Sequence, residues 1–299
     1  MKNQTLHPVI KWAGGKSQLI DKIRRKYPAE LGKQIKKYAE PFIGGGAVLF
    51  DILSRYELDE IYISDINSEL VNMYRKIKTD SENLIDMLEK IQAEYLQLDD
   101  DNRKKFFLSQ GNRYNALIRA GISKDSIESA AIFIFLNRTC FNGLYRVNRQ
   151  GMYNVPAGKY KNPRICDAEN LRAVSESLQN VEIVCADYRS SVDFIDEKTF
   201  VYFDPPYRPL NATSNFTAYS ENIFDDRSQT ELAEFVQMLD KQGAKILVSN
   251  SDPKNADPND NFFDDLYSKQ TISRISASRM INRNADGRGK IAELLISNF

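Results

Sequence analysis

The chain has 299 residues, of which 42% are hydrophobic and 27% charged, and its 41 basic and 41 acidic side chains give a net charge of zero. These values are ordinary for a globular protein with a sizeable core. A single histidine and three cysteines without paired spacing argue against histidine-based catalysis, a zinc site and a disulfide framework. The N-terminus lacks a signal-peptide pattern and the longest apolar run, 130–136, is too short to cross a bilayer, so we expect a cytoplasmic protein without a membrane partner.

Near the N-terminus, the segment Gly15-Lys16-Ser17 resembles the end of a phosphate-binding loop. That loop has a further glycine five residues before its final Gly-Lys pair, so that backbone N–H groups can wrap a polyphosphate. Ile10 holds this position here, and its side chain does not allow the backbone angles that glycine adopts. A nucleotide phosphate site is therefore disfavoured, and Lys16 must serve another purpose.

Six segments are predicted to be strands, because each is a short run rich in apolar or β-branched residues that ends at a turn. They cover residues 38–43, 60–64, 181–185, 199–203, 245–249 and 291–297. Helical patterns such as 47–53 and 229–239 lie between them. Strands that alternate with helices predict an α/β sheet covered by helices on both faces.

Residues 69–166 break this alternation. Four predicted helices follow one another without a strand, at 69–78, 81–95, 104–120 and 126–137. Two extended segments, 142–148 and 152–156, then flank a glycine-containing turn, which is typical of a β-hairpin. We therefore expect an α/β domain in two parts, 1–68 and 167–299, with a mostly helical insertion at 69–166 that bears the hairpin.

The stretch from Ser129 to Ile165 contains no acidic residue. Its basic residues are Arg138, Arg146, Arg149, Lys159, Lys161 and Arg164. A local cluster of this kind can attract nucleic acid even on a protein whose net charge is zero. A solvated charged face without a partner is the alternative interpretation.

A glycine-rich turn, Gly44-Gly45-Gly46, follows the first predicted strand and precedes a predicted helix. The second predicted strand ends at Asp65, 21 residues beyond Gly44. In dinucleotide-binding folds a carboxylate at this spacing meets ribose hydroxyls. Leu49 replaces the third glycine of that motif, so a plain tight turn with a helix-capping aspartate is an alternative.

The segment Asp204-Pro205-Pro206-Tyr207 follows the apolar strand predicted at 199–203. Ligands bind at the carboxyl ends of strands in open α/β sheets, and two prolines stiffen the turn there. An acid, a rigid turn and an aromatic ring suit a planar group that carries an amino group. Together with the glycine-rich turn and Asp65, this motif favours a functional site over a purely structural proline turn.

Several motifs, taken together, resemble the DNA adenine-N6 methyltransferases of the Dam and DpnII type. They are Lys11-Trp12-Ala13-Gly14-Gly15-Lys16, Glu40-Pro41-Phe42-Ile43-Gly44-Gly45-Gly46, Asp65, Asn142-Gly143-Leu144-Tyr145-Arg146, Asn154-Val155-Pro156-Ala157-Gly158-Lys159-Tyr160 and Asp204–Tyr207. The resemblance covers nearly the whole chain. It departs from the family at Ala157, where members often have an aromatic residue, so contacts at the hairpin can differ in detail.

This resemblance implies a Rossmann-like methyltransferase fold with a mixed sheet and a target-recognition insertion. It also implies transfer of a methyl group from S-adenosylmethionine to adenine N6 within GATC, after the base has left the duplex stack. Double-stranded DNA is the implied partner, and single-stranded DNA and a cognate restriction endonuclease are further candidates. No metal is required.

The resemblance also implies roles for individual residues. The catalytic residues would be Asp204, Pro205, Pro206 and Tyr207. The cofactor-binding residues would be Trp12, Lys16, Phe42, Gly44, Gly46, Asp65, Asp187, Tyr188 and Asp204, with Lys16 on the carboxylate of the cofactor's methionine part, Asp65 on its ribose hydroxyls and Asp187 on its adenine amino group. The DNA-binding residues would be Lys11, Phe141, Asn142, Leu144, Arg146, Pro156, Lys159 and Tyr160.

Three alternatives stay open. Enzymes that methylate cytosine N4 or a glutamine amide commonly have Ser or Asn before Pro-Pro-Tyr, and Asp204 argues against both. The third alternative is a DNA-binding relative without catalytic activity, against which the intact Lys16, Asp204 and Tyr207 argue.

Overall fold

The computed structural model of the chain describes residues 5–208, 224–278 and 290–299. The strands in this part of the chain are β1 (Lys37–Pro41), β2 (Glu60–Asp65), β3 (Val181–Cys185), β4 (Thr199–Phe203), β5 (Lys245–Ser251), β6 (Thr271–Ser278) and β7 (Lys290–Ser297). They form one mixed sheet in the order β3-β2-β1-β4-β5-β7-β6. Strands β1 to β5 are parallel to one another, and β7 runs antiparallel between β5 and β6.

The α-helices of the described residues are α1 (Ile20–Arg24), α2 (Ala47–Arg55), α3 (Ser68–Thr79), α4 (Ser81–Gln97), α5 (Asp100–Arg119), α6 (Ile127–Thr139), α7 (Ala168–Ser177), α8 (Asp226–Lys241) and α9 (Phe262–Leu266). Side-chain caps fix where several of them begin, since a short polar side chain satisfies a free N–H group of the first turn. Asn67, for example, accepts hydrogen bonds from the backbone of Glu69 and Leu70 at the start of α3. In these described segments, we find no helix that combines the length and the apolar character needed to cross a membrane.

The sheet buries both of its faces, as the sequence predicts. Along β4, Phe200 and Tyr202 belong to one apolar cluster, and Val201 and Phe203 belong to the other. This follows from the alternation of side chains along a strand. Helices α2 to α7 contribute to the first cluster, and α8 packs its apolar side chains into the second. The α/β architecture of the sequence-based prediction is therefore confirmed.

The first apolar cluster continues without interruption from the sheet into the helical insertion. Helix α6 lies at its centre: every residue from Ser129 to Asn137 is buried, and the helix packs against α3, α4 and α5. The predicted hairpin follows α6. It is held by single antiparallel bridges, Val147 with Tyr153 and Cys140 with Ala157, rather than by a ladder of paired strands.

Candidate active site

The carboxyl ends of the central parallel strands meet at one edge of the sheet. Strand β1 lies between β2 and β4. The chain leaves β1 through α2 to reach β2 on one side, whereas β4 occupies the other side, so the strand order reverses at this point. Ligands of open α/β sheets bind at such a reversal. The glycine-rich turn after β1, Asp65 at the end of β2 and Asp204 after β4 therefore lie at the same edge.

At two positions of the glycine-rich turn, only glycine fits. Gly44 and Gly46 have φ angles of +47° and +70°, in the left-handed region. A Cβ atom on Gly44 would lie 2.8 Å from a ring carbon of Trp12, and one on Gly46 would lie 2.7 Å from the Tyr74 hydroxyl. The turn is thus a close-packed backbone cradle between β1 and α2.

Asp65 closes the cradle from the end of β2. Its carboxylate accepts hydrogen bonds from the Gly44 N–H at 3.2 Å and from the Asn67 N–H at 2.9 Å. Burial raises the pKa of Asp65 above its ordinary value, and these backbone hydrogen bonds oppose that rise. The structure thus brings Gly44 and Asp65, which the sequence analysis assigns to one site, into direct contact.

Two aromatic rings stand beside this cradle. Phe42 and Tyr188 stack with ring centroids 5.4 Å apart and an interplanar angle of 28°. Phe42 has a φ of +91°, which is costly for an aromatic residue, and strained backbone of this kind is concentrated at functional sites. Asp187, just before Tyr188, is exposed and forms an ion pair with Arg189 at 3.1 Å.

Asp204 is linked to Lys16, which lies far from it in the sequence. The Lys16 ammonium is 2.8 Å from Asp204 Oδ1 and 4.6 Å from the centroid of the Tyr207 ring, and it also donates to the Gly14 carbonyl. Lys16 is buried, with 3% of its surface exposed, so this charge is held in place. The structure thus collects Lys16, Asp204 and Tyr207 around one small volume.

Burial raises the pKa of the Asp204 carboxyl above its ordinary value. The nearby Lys16 ammonium opposes this effect, and Glu293 on β7 adds to it. Glu293 also accepts a hydrogen bond of 2.8 Å from the Tyr207 hydroxyl, which fixes the ring of Tyr207. Sequence analysis gives Glu293 no role, although a carboxylate within the apolar strand 290–297 is a detectable signal.

Glu40 is a second buried carboxyl that the sequence analysis leaves without a role. It lies on the central strand β1 with 2% of its surface exposed and accepts a hydrogen bond of 2.7 Å from the Tyr38 hydroxyl. The pKa of Glu40 is raised to about 8, chiefly by burial. Asp204 contributes to this rise, and the Tyr38 hydrogen bond and the Lys16 ammonium oppose it. A charged residue among apolar neighbours in the first strand is the signal that could have identified it.

The two prolines hold the turn that follows Asp204. Pro205 is buried, and the carbonyl of Pro206 accepts a hydrogen bond of 3.0 Å from Gln229 on α8. Arg208 forms ion pairs with Asp226 and Asp260, which anchor the next residue of the segment. The backbone that positions Asp204 and Tyr207 is therefore tied to the rest of the domain from both sides.

A second group of predicted residues lies on the surface formed by the insertion. The Lys11 ammonium lies 4.7 Å from the centroid of the Tyr160 ring. Phe141 is 52% exposed, and Asn142 next to it has a φ of +57°. Asn142, Pro156 and Lys159 are also exposed, whereas Leu144 is partly buried.

Trp12 connects this surface with the glycine-rich turn. Its ring covers Gly44, and its Cβ lies against Gly45. The ring also stacks on Tyr145 with centroids 5.7 Å apart and an interplanar angle of 21°. The hairpin residue Arg146 is exposed, and its guanidinium donates to the side chain and the carbonyl of Asn154 at 2.8 and 2.9 Å. The surface formed by the insertion is thus adjacent to the glycine-rich turn.

Comparisons with known proteins identify relatives of the chain over nearly its whole length. The chain is 47% identical to a type II methyltransferase of Methanocaldococcus jannaschii over 98% of its own length and 99% of that protein. It is 37% identical to a type II methyltransferase of Lactococcus lactis subsp. cremoris, over 98% of this chain and 96% of the relative. It is also 34% identical to the DNA adenine methylase of Escherichia coli strain K12, over 96% of this chain and 93% of the relative.

The family profile gives the same result. The profile of the D12 class N6 adenine-specific DNA methyltransferases matches residues 12–281, which include the glycine-rich turn, Asp65, the insertion and Asp204. A match of this length together with relatives above 30% identity over nearly the whole chain establishes the family. This chain is a member of the D12 class of N6 adenine-specific DNA methyltransferases.

Proposed function

We propose that this enzyme transfers a methyl group from S-adenosylmethionine to N6 of a flipped adenine within GATC in double-stranded DNA. The observation that carries this proposal is the cluster of Lys16, Asp204 and Tyr207 beside the cradle of Gly44, Gly46 and Asp65. Relatives of this chain that are named DNA adenine methylases support the choice of adenine.

The residues around the cradle fit S-adenosylmethionine. When bound, this cofactor supplies a methyl group carried on a positively charged sulfur. We assign its ribose hydroxyls to Asp65, its adenine ring to the stacked pair Phe42 and Tyr188, and its adenine amino group to Asp187. A carboxylate has about four acceptor sites, and the Gly44 and Asn67 N–H groups do not fill those of Asp65, so it has capacity left for hydroxyl donors.

Lys16 can serve the cofactor and Asp204 together. An ammonium group has three N–H donors, and two of those on Lys16 bind the Gly14 carbonyl and Asp204. One donor is left for the carboxylate of the cofactor's methionine part. Trp12, which covers Gly44 and Gly45, would line the same pocket.

The catalytic residues act on the nitrogen of the target base. Adenine N6 is a poor nucleophile, because its lone pair is delocalised into the ring. We assign one of its two hydrogens to the Asp204 carboxylate and the other to the Pro205 carbonyl, which shifts electron density back to the nitrogen. Tyr207, fixed by Glu293, would stack on the base and hold it in position.

Asp204 must be ionised to accept this hydrogen. Burial favours its neutral form, whereas the Lys16 ammonium at 2.8 Å favours the carboxylate. Lys16 therefore maintains the state of Asp204 that the reaction needs.

We assign recognition of the DNA sequence to the surface formed by the insertion. We assign Arg146 to the guanine paired with the last cytosine of GATC, since its fork matches the O6 and N7 acceptors of guanine. Leu144 would contact the thymine methyl group, and Lys11 the first guanine. Phe141 and Asn142, exposed at the start of the loop, would fill the space beside the unpaired thymine. Pro156, Lys159 and Tyr160 would support the same face of the DNA.

Expression in a host that lacks adenine methylation tests the proposal. We expect the genomic DNA to change its sensitivity to endonucleases that respond to methylated GATC, and its nucleosides to contain N6-methyladenine. Asp204→Ala should abolish both signals while the protein still binds DNA. Asp51→Ala is the matched control. It also removes a carboxylate from ion pairs, here with Arg24 and Arg55, but Asp51 lies on α2 and has no role in the proposed reaction.

Other results would contradict specific parts of the proposal. N4-methylcytosine in the digest would favour the cytosine alternative, and a protein that binds DNA without producing either nucleoside would favour an inactive relative. Retention of a tenth of the wild-type rate by Asp204→Ala would refute the role of Asp204.

A further inference from the structure

A single buried side chain holds together the two segments to which base reading is assigned. Asn137 lies in the last turn of α6 with 3% of its surface exposed. Its Oδ1 accepts a hydrogen bond of 2.8 Å from the Lys11 N–H. Its Nδ2 donates to the Lys11 carbonyl at 2.7 Å and to the Gly143 carbonyl at 3.0 Å. Both donors of the carboxamide are therefore used within the protein, and Asn137 is not available to DNA.

The two segments also touch each other at the point where Asn137 joins them. Gly143 has a φ of +65°, and a Cβ atom there would lie 2.6 Å from Cβ of Lys11. The close approach of the Lys11 side chain to the backbone of Gly143 thus requires the glycine. The carboxamide of Asn137 then spans the contact, with hydrogen bonds to the backbone on each side.

We propose that Asn137 is a positioning residue for sequence recognition, which fixes Lys11 and the loop of Asn142–Arg146 in one spacing. This inference depends on the proposed function, in which Lys11 contacts the first base pair of GATC and Arg146 the fourth. Hydrogen bonds weaken steeply when their distance or angle is poor. Two contacts on one rigid duplex are both well formed only if the segments that carry them are held at a fixed separation.

The chain contains a close match for a control. Asn170 on α7 makes the same kind of pair with the backbone of His7, four residues before Lys11: it accepts from the His7 N–H at 3.0 Å and donates to the His7 carbonyl at 2.9 Å. Among the described residues, Asn170 bonds to His7 and to the start of α7 but not to Gly143. Its removal therefore releases the N-terminal segment without breaking the link between the two segments.

The test compares methylation rates of three DNA duplexes that differ only in the target site. One carries GATC, the second has its first base pair replaced, and the third has its fourth base pair replaced. The proteins are the wild type, Lys11→Ala, Arg146→Ala, Asn137→Ala, Asn137→Ser and Asn170→Ala. Thermal melting and binding of S-adenosylmethionine establish which variants are folded, and rates are measured below the lowest melting temperature.

We expect Lys11→Ala to lose selectivity at the first position and Arg146→Ala at the fourth. Asn137→Ala should lose selectivity at both positions together, by roughly fivefold or more each, since a good bidentate base contact is worth at least about this factor. Asn137→Ser should give the same pattern. Asn170→Ala should keep both selectivity ratios near those of the wild type.

Failure of this inference differs from failure of the proposed function. If Lys11→Ala and Arg146→Ala leave both ratios unchanged, the assigned base contacts are wrong. If they change the ratios while Asn137→Ala and Asn137→Ser reduce all three rates equally, Asn137 has no role in positioning. Equal loss of selectivity in Asn170→Ala, or failure of both Asn137 variants to fold, would also overturn the proposal, because either result assigns the effect to general stability.

Discussion

Glu40→Gln should remove a pH dependence of stability that arises in the centre of the sheet. Burial raises the pKa of Glu40 from its ordinary value of 4.5 to about 8 in the folded protein. Between these two values the folded protein keeps a proton that the unfolded chain has released. Stability therefore decreases as the pH rises through this window, and Gln at this position, which does not titrate, should abolish that decrease.

The expected effect is large. One proton of difference changes the free energy of unfolding by about 1.4 kcal/mol per pH unit. As the pH rises from about 5 to about 8, the free energy of unfolding of the variant should increase by about 3 to 4 kcal/mol relative to that of the wild type. The Gln side chain retains an oxygen that can accept the hydrogen bond from Tyr38, so the comparison isolates the charge.

Urea unfolding of both proteins at closely spaced pH values measures this difference. A constant gap between the two proteins from pH 5 to pH 8 would show that Glu40 is already ionised in the folded state, and would refute the reasoning. Tyr38→Phe provides an internal check. Since the Tyr38 hydroxyl lowers the pKa of Glu40, its loss should extend the decline in stability to more alkaline pH.

Three further results are expected. Glu293→Gln removes a negative charge that raises the pKa of Asp204, but it keeps an acceptor for the Tyr207 hydroxyl. The fall of kcat/KM on the acid side should therefore move to lower pH. An unchanged pH profile would contradict this effect. Asp65→Ala should weaken S-adenosylmethionine binding in a calorimetric titration with little change in DNA affinity, and equal binding by the variant would remove Asp65 from the cofactor site. Arg146→Ala should relax selectivity only at the fourth base pair, whereas uniform weakening with a shallower salt dependence would identify a phosphate contact.

Much of the sheet can be predicted from the sequence. Strands β3 and β4 have the predicted bounds, and β1, β2, β5 and β7 differ by no more than two residues at either end. These strands are short apolar runs with clear turns, so local pattern determines them. Strand β6 is missed, because Thr271–Ser278 mixes serine and arginine with apolar residues. Among the described strands it lies at the edge of the sheet and pairs with β7 alone, so it needs fewer apolar residues than a central strand.

The candidate site is predictable only where a motif is local. The glycine-rich turn, Asp65 and Asp204–Tyr207 each follow a strand, and parallel strands bring such ends together. The partners of these groups come from remote parts of the chain. Lys16 reaches Asp204, Glu293 reaches Tyr207, and Asn137 reaches Lys11. These pairs depend on the relative placement of whole elements, which hydrophobic periodicity does not encode.

The central position of β1 has a consequence for folding and for protein production. One edge of this strand pairs with β2 soon after it in the chain, but the other pairs Lys37 with Thr199, beyond the entire insertion. Pairings this remote slow folding more than they reduce stability, because closure of a long loop costs only a little more entropy as the loop grows. Until Thr199 has been synthesised, a buried and apolar strand presents an open edge, which is a template for aggregation. A fragment that ends with the insertion would retain this edge permanently, so the residues proposed to recognise DNA are best produced and engineered within the full chain.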